Sequence, residues 1–485
     1  MKIKENKEEL SSETDPEKAE NEEYRNFKEE PGDDDGENRN PEKRHSLLLT
    51  GLFVTKAMIG TGLLNIPLHF RNFGIINGLI ASVFLNSVTI SSTYFLLRCK
   101  DITQRYSYAV YSKLTMGLVG TLSVKFAIII RSFSLCCVLL KLLGKIIRTI
   151  FLIFFNEYRD KFFLNSEFLI VIFSVLITPL MLQKDISGIA KFTFLGIYAI
   201  LLLFISLVIL LIFKINKNEI KPFEKQMLYS SGDFFRNFKS LGSYLNAYLF
   251  QVNCFPLYLP LHPRSSKNML KATFLGTILC SIIYISFGII GFIIYRYDIN
   301  DTLLIYLGDD LIKYIKTNKL MATLLIIFEI AFIANTTIST MINFFIGKSG
   351  LINFIKFILK NRNKNKNNKD IPLVDLDQKG DLIKKNNLKV KETVLSERFK
   401  TFITLFAYMI VVFVCYASET IISIDNFNGS TVNNFVSIML PALFFIIISR
   451  DQKISFERIL AIFVLLFSFC LISGYLLFNF TNIYT

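Results

Sequence analysis

The sequence predicts an all-α membrane protein with about eleven transmembrane helices, and three observations carry that reading. Of its 485 residues, 52% are hydrophobic. Its mean hydropathy is +0.45. Windows of about 20 apolar residues, each long enough to cross a bilayer, recur along the chain. The formal net charge is +15, unevenly placed: residues 1–45 hold 9 Lys/Arg and 16 Asp/Glu, so that stretch is net −7 and the remainder +22. Base concentrated in loops between apolar segments orients a protein in the bilayer and gives no reason to invoke nucleic acid as a partner. The seven cysteines have no Cys-x-x-Cys spacing, so neither a disulfide framework nor a metal site or cofactor is expected.

Taken in order, residues 1–45 are acidic and punctuated by Pro and Gly, and predict a disordered cytosolic tail. Nothing apolar precedes Leu47, so no signal peptide is expected. Apolar segments at 47–69, 75–97, 121–143, 166–183, 188–213, 238–261, 271–296, 319–346, 401–419, 431–449 and 457–478 predict the spans. Residues 144–156 either extend the third helix or lie at the interface. The chain thus divides into the tail 1–45, helices one to eight in 46–346, a basic cytosolic loop over 347–400, and helices nine to eleven in 401–485. That loop holds 14 Lys/Arg against 6 Asp/Glu and no apolar period, which reads as a disordered linker, or as one drawn to anionic lipid. With the N-terminus in the cytosol, the sequons at Asn300, Asn428 and Asn479 fall outside.

The first span contains the most informative stretch, Lys56 to Gly74. Gly60, Thr61, Gly62 and Pro67 weaken or interrupt a helix where an unbroken one would be least costly. In hydrocarbon, a freed backbone group costs several kcal/mol unless protein, ion or ligand satisfies it. Broken helices of this kind build the midplane sites of many secondary transporters.

The segment KAMIGTGLLNIPLHFRNFGIINGLI sets Lys56, Gly60, Gly62, Leu63, Pro67, Arg71, Asn72 and Gly74 in a Gly-x-Gly-x-Leu-x-x-Pro pattern followed by a basic residue, Asn and Gly. It resembles the first two helices of the amino acid/auxin permease family, most closely the proton-coupled amino acid transporter branch, where a Lys also stands four residues before the first Gly. The sixth span, AYLFQVNCFPLYLPL, is similar to the family's His-x-Asn-x-x-Pro-x-Tyr segment, with Asn253, Pro256 and Tyr258 in place and Gln251 where His is frequent. Tyr284 in the seventh span, and Gly429 and Pro441 around the tenth, continue the likeness. It covers 47–346 well and 401–478 loosely. The resemblance implies a LeuT-like fold of the APC superfamily: eleven helices, ten in two inverted five-helix repeats, with the first and sixth broken. It also implies a secondary active amino acid transporter. The interruptions at Gly60–Gly62 and Pro256 fall in corresponding members of spans 1–5 and 6–10.

An amino acid needs a carboxylate site and an ammonium site. Open amides at Ile59, Gly60, Thr61 and Gly62 suit the carboxylate. Carbonyls and side chains around Gln251, Asn253 and Phe255 suit the ammonium. The competing readings are close helix packing at the glycines and an interhelical hydrogen bond at Asn253. The eighth span carries Asn335, Thr336, Thr337, Ser339 and Thr340 within two turns. The resemblance implies sodium coordination by such hydroxyls, whereas small hydroxyls also hold helices together. Glu329, in the same span, is expensive to ionise there and either carries a coupling proton or pairs with Lys56 or Arg131. His45, His69 and His262 stand at span ends or in loops and are assigned no catalytic role.

Some proton-coupled relatives carry a His where Phe53 stands here. With Gln251, that departure leaves Glu329 as the better proton carrier, and Thr336, Thr337 and Thr340 as the sodium alternative. No nucleophile–base pair, Walker loop or metal cluster appears, so no enzyme is expected. A nutrient sensor signalling through the basic loop is the alternative from another class. The membrane is either the plasma membrane or an acidic vacuolar or lysosome-like one.

Overall fold

The structure, a computed structural model, describes residues 45–155, 161–183, 193–220, 222–229, 232–367, 396–418, 420–452 and 455–481. The predicted acidic tail, except His45 at its end, and residues 368–395 of the basic stretch lie outside the described residues.

Helix α1 (Leu47–Met58) starts at Ser46, whose hydroxyl accepts the Leu49 amide at 3.3 Å. A 3-10 turn (Thr61–Asn65) leads into α2 (Ile66–Phe73), and the segment Gly62–Phe73 is bent 59° from α1. Pro67 lies in the first turn of α2, where its missing N–H leaves no bond unmade. Gly74 then turns the chain at φ 76°, a conformation that favours glycine, into α3 (Ile75–Thr103). Helix α4 (Tyr108–Phe154) kinks at Gly117, where φ is 64°. There follow α5 (Ser166–Met181), α6 (Thr193–Asn216), α7 (Phe234–Tyr248), a 3-10 turn (Gln251–Asn253) and α8 (Cys254–Tyr258). The chain continues through α9 (Ser266–Tyr295), α10 (Leu303–Thr317), α11 (Lys319–Asn367) and α12 (Glu397–Ala417). It ends with α13 (Ile421–Ile448) and α14 (Phe456–Thr481).

Among the described residues, 8 helices are long and apolar enough to cross a membrane, or up to 9 if the bent pair α1–α2 is one span. The fold is therefore all-helical and multi-pass. The other two predicted spans coincide with α5, which has 16 residues, and with the interrupted pair α7–α8. Residues 144–154 extend the third helix.

Four features depart from the sequence reading. The stretch 347–367, expected as loop, continues α11, because polar Asn and Lys side chains do not forbid a helix. Helix α10 was not expected. Its buried Leu303, Leu304, Leu307, Leu311 and Tyr314 form one apolar face, and Asp310 ties it to Lys214 of α6 (2.8 Å) and to the Tyr295 hydroxyl of α9 (2.7 Å).

The break in the sixth segment falls at Leu249–Phe250 rather than at Pro256, which lies inside α8. Helix α13 starts at Ile421, well before the expected 431, and contains π-helical stretches at 428–432 and 435–439. Asn428 is consequently a fully buried helical residue, and its sequon is no surface loop.

Candidate functional site

The two interrupted helices face each other at their breaks. The first leaves helical geometry at Ile59 (ψ 101°) and the second at Leu249 (ψ 121°). Each interruption strands carbonyls at the end of the preceding helix. Tyr284 of α9, fully buried, meets both: its hydroxyl stands 2.9 Å from the Met58 carbonyl and 2.8 Å from that of Ala247. One proton is thereby shared between the ends of α1 and α7.

The two glycines of the first break differ. A Cβ at Gly62 would come 2.9 Å from the Ala247 Cβ, so this glycine permits close approach of the two segments. Gly60 faces open space, with nothing within 4 Å of such a Cβ. The Ile59 amide donates to the Thr55 carbonyl at 2.9 Å, so it is not the open donor expected of it. The amides of Thr61 and Gly62 begin the 3-10 turn and have no acceptor within it.

Around the second break, Gln251 is 0% exposed and serves the backbone. Its Oε1 accepts the Phe250 amide (3.0 Å) and its Nε2 donates to the Thr89 carbonyl (3.3 Å). Asn253 is half-buried, with its amide on the Phe250 carbonyl at 2.7 Å. Phe255 packs edge-on against Tyr106, Tyr108 and Tyr111.

On α11, Thr336 and Thr340 are buried and Thr337 half-buried. Their hydroxyls donate to the carbonyls of Phe332 (2.7 Å), Thr336 (2.8 Å) and Ile333 (2.8 Å) respectively, a local arrangement common for threonine within helices. Glu329 is 1% exposed, and its Oε2 makes no hydrogen bond. Asn335 reaches another junction: a Cβ at Gly196 of α6 would overlap both its Oδ1 and the Lys56 ammonium. Helices α1, α6 and α11 therefore meet where Lys56 Nζ and Asn335 Oδ1 both lie against Gly196.

The sequence reading missed a buried polar chain centred on Asp425 of α13, which is 0% exposed. Its Oδ2 accepts Asn65 Nδ2 at 2.8 Å, from the end of the first break. Its Oδ1 accepts Asn246 Nδ2 at 2.7 Å, from the last turn of α7. Asn246 Oδ1 accepts Asn433 Nδ2 (2.5 Å), and Asn433 Oδ1 accepts Arg131 Nε (2.6 Å). The signal was present in the sequence as Asp and Asn residues over 425–434, but such a run reads as loop until the π-helical turns are seen to fold it inward.

Beside this chain lies a cavity of about 300 Å³ whose lining includes His69, Arg71, Arg236, Lys239, Ser240 and Asn426. His69 is buried here, with Nδ1 2.6 Å from the Ser240 hydroxyl and its ring stacked on Tyr244. Among the described residues, no group of three or more His, Cys, Asp or Glu is placed to hold a metal ion.

The profile of the family described as transmembrane amino acid transporter protein matches residues 43–481. The chain is 21% identical over 251 residues to the amino acid transporter AVT6C of Arabidopsis thaliana, covering 50% of this chain and 57% of that protein. It is 22% identical over 265 residues to vacuolar amino acid transporter 2 of Saccharomyces cerevisiae, covering 53% and 54%. The chain spans about half the length of the curated relatives it matches.

Among solved structures, MhsT in complex with L-phenylalanine superposes with a TM-score of 0.52 at 12% identity, covering 87% of this chain and 98% of that one. Mhp1, a nucleobase-cation-symport-1 family transporter, superposes in its closed conformation with a TM-score of 0.51 at 10% identity, covering 86% and 83%. At these identities the likeness is one of fold alone.

Proposed function

The chain belongs to the transmembrane amino acid transporter family, and on that premise we propose that it is a secondary active amino acid transporter that works by alternating access and is driven by a proton gradient. The observation that carries this reading is the pair of facing breaks joined through Tyr284. Interrupted helices inside a membrane bundle are tolerated where protein, ion or ligand satisfies the freed backbone groups, and facing pairs of them build the substrate sites of many secondary transporters. We read the eleven helical segments as eleven spans, ten of them in two inverted repeats.

In this mechanism the substrate carboxylate takes the amides of Thr61 and Gly62 from the open side of Gly60, and its ammonium takes acceptors near Asn253. Gly62 and Gln251 shape the breaks, through the Ala247 contact and the Phe250 amide. Members of the family are transporters, and no reaction on the substrate is proposed.

A proton is favoured over sodium by the junction at Gly196. A sodium site built on Thr336, Thr337 and Thr340 needs an ion beside α1, and there the chain supplies its own ammonium, Lys56. A buried carboxylate then carries the proton, Glu329 or another. A vacuolar relative supports an acidic internal membrane as the location. The test is accumulation of labelled amino acid by purified protein in liposomes under an imposed pH gradient, with sodium replaced by choline. Uptake that follows the sodium gradient alone would reverse the assignment.

A further inference from the structure

We propose that Asp425, rather than Glu329, is the residue that carries the coupling proton, and that it acts on the first helix break through Asn65. The assignment rests on the proton-driven reading above and deepens it.

The argument begins with hydrogen-bond polarity. An arginine only donates, so Asn433 must present its oxygen to Arg131 Nε at 2.6 Å. The Ser437 hydroxyl donates to the same oxygen at 3.1 Å. Asn433 is then obliged to donate its Nδ2 to Asn246 Oδ1, and Asn246 in turn to donate to Asp425 Oδ1. The relay pins the Asn246 amide as a donor to Asp425 Oδ1, so the oxygen whose hydrogen-bond partner is free to turn over is Oδ2.

That oxygen faces Asn65, whose Nδ2 donates to it at 2.8 Å while its own Oδ1 is buried and accepts nothing. A proton on Oδ2 turns this acceptor into a donor facing a donor. The conflict resolves when Asn65 rotates its amide and offers Oδ1 to the new O–H. Asn65 closes the 3-10 turn Thr61–Asn65, so the rearrangement starts at the segment proposed to hold the substrate. Asp425 thus joins three elements: α13, the end of the first break and the last turn of α7. Among the described residues, Glu329 Oε2 has no hydrogen-bond partner.

The charged groups on the elements packed around Asp425 are mainly cationic. Helix α4 brings Arg131, through the relay, and Lys141, which donates to Ser418 Oγ and the Cys415 carbonyl just before α13. Lys145 and Arg148 of α4 are engaged elsewhere, with Asp301 and the Leu164 carbonyl. Helix α7 brings Lys239 and Arg236, the latter 3.5 Å from Asp233, and α2 brings His69 and Arg71. The tyrosines of α7, Tyr244 and Tyr248, are bonded to the Gly78 carbonyl and to Ser82. The lysines and arginines among these groups favour the ionised carboxylate, and so favour release of a bound proton on the cavity side.

The experiment compares wild type, Asp425→Asn and Glu329→Gln in liposomes, with pH-gradient-driven accumulation, counterflow exchange at equal pH, and the pH profile of exchange as readouts. Expected for Asp425→Asn is loss of accumulation by about tenfold or more, with counterflow retained and its pH profile flattened. Asn65→Ala keeps the carboxylate and is expected to lower accumulation in the same way, so the proposal stays testable if Asp425→Asn fails to fold. Accumulation lost in Glu329→Gln and kept in Asp425→Asn overturns the assignment, as does an unchanged pH profile in Asp425→Asn or full accumulation in Asn65→Ala. A wild type indifferent to the pH gradient instead overturns the proton-driven reading itself.

Discussion

Gly62 and Ala247 touch so closely that a Cβ on the glycine would stand 2.9 Å from the alanine Cβ. Real side chains do not approach in that way, so Gly62→Ala must push the first break away from α7. The expected cost is about 1–3 kcal/mol, read as a lower melting temperature in detergent. Gly60→Ala meets nothing within 4 Å and is expected to leave stability near wild type. If uptake falls in Gly60→Ala without a stability change, the loss reports ligand contact. If Gly62→Ala is as stable as wild type, the packing role of this glycine is wrong.

Tyr284→Phe removes the hydroxyl shared by the Met58 and Ala247 carbonyls and leaves two buried acceptors unpaired. The penalty expected is about 1–3 kcal/mol, together with slower uptake, because the breaks lose their common tie. Thermal unfolding of the purified variant checks the first part and initial rates of uptake the second.

The threonines of α11 separate the two coupling ions. Their hydroxyls donate to carbonyls of their own helix, so Thr337→Val and Thr340→Val remove only local bonds if a proton drives transport. Proton-driven uptake in both variants is then expected to stay within about threefold of wild type, since such local bonds are worth ~1 kcal/mol or less. A sodium mechanism instead requires those oxygens and predicts collapse of uptake in a sodium gradient. Gly196→Ala, by contrast, displaces the ends of the Lys56 and Asn335 side chains, and is expected to change the rate of uptake with little loss of stability.

The Lys214–Asp310 pair, 2.8 Å apart with each side chain 11% exposed, ties α10 to α6. Lys214→Met leaves a carboxylate in that setting with only the Tyr295 hydroxyl, and the expected destabilisation is about 3–5 kcal/mol. Adding Asp310→Leu removes the stranded charge and is expected to restore much of the loss. A double variant no more stable than the single one would count against the pair as the tie.

The first break was legible in the sequence because Gly60 and Pro67 act through local backbone rules that need no partner, whereas the contact of Gly62 with Ala247 was not. The second was located wrongly. Pro256 drew the reading to itself, while the chain opens earlier, at Leu249–Phe250, where Gln251 supplies the missing acceptor. The Asp425 chain was illegible for a different reason. Its bonds join residues far apart in sequence on α4, α7, α13 and the first break, and its central run of Asp and Asn has a loop-like composition. A polar run enters a core only when its donors and acceptors find each other in three dimensions, and periodicity does not record that match. Glu329, by contrast, was conspicuous because it stands alone in an apolar helix.

Helix α11 runs unbroken for 49 residues. At 1.5 Å per residue its axis is about 74 Å long, against roughly 45 Å for a bilayer with its headgroups. Even inclined by about 40° it reaches some 57 Å along the membrane normal. The helix is therefore longer than the bilayer is thick by about two turns, and must project from it. Its projecting part is carried by the same rod as Thr336 and Thr340. A tilt of that rod inside the bundle becomes a larger sweep at its end.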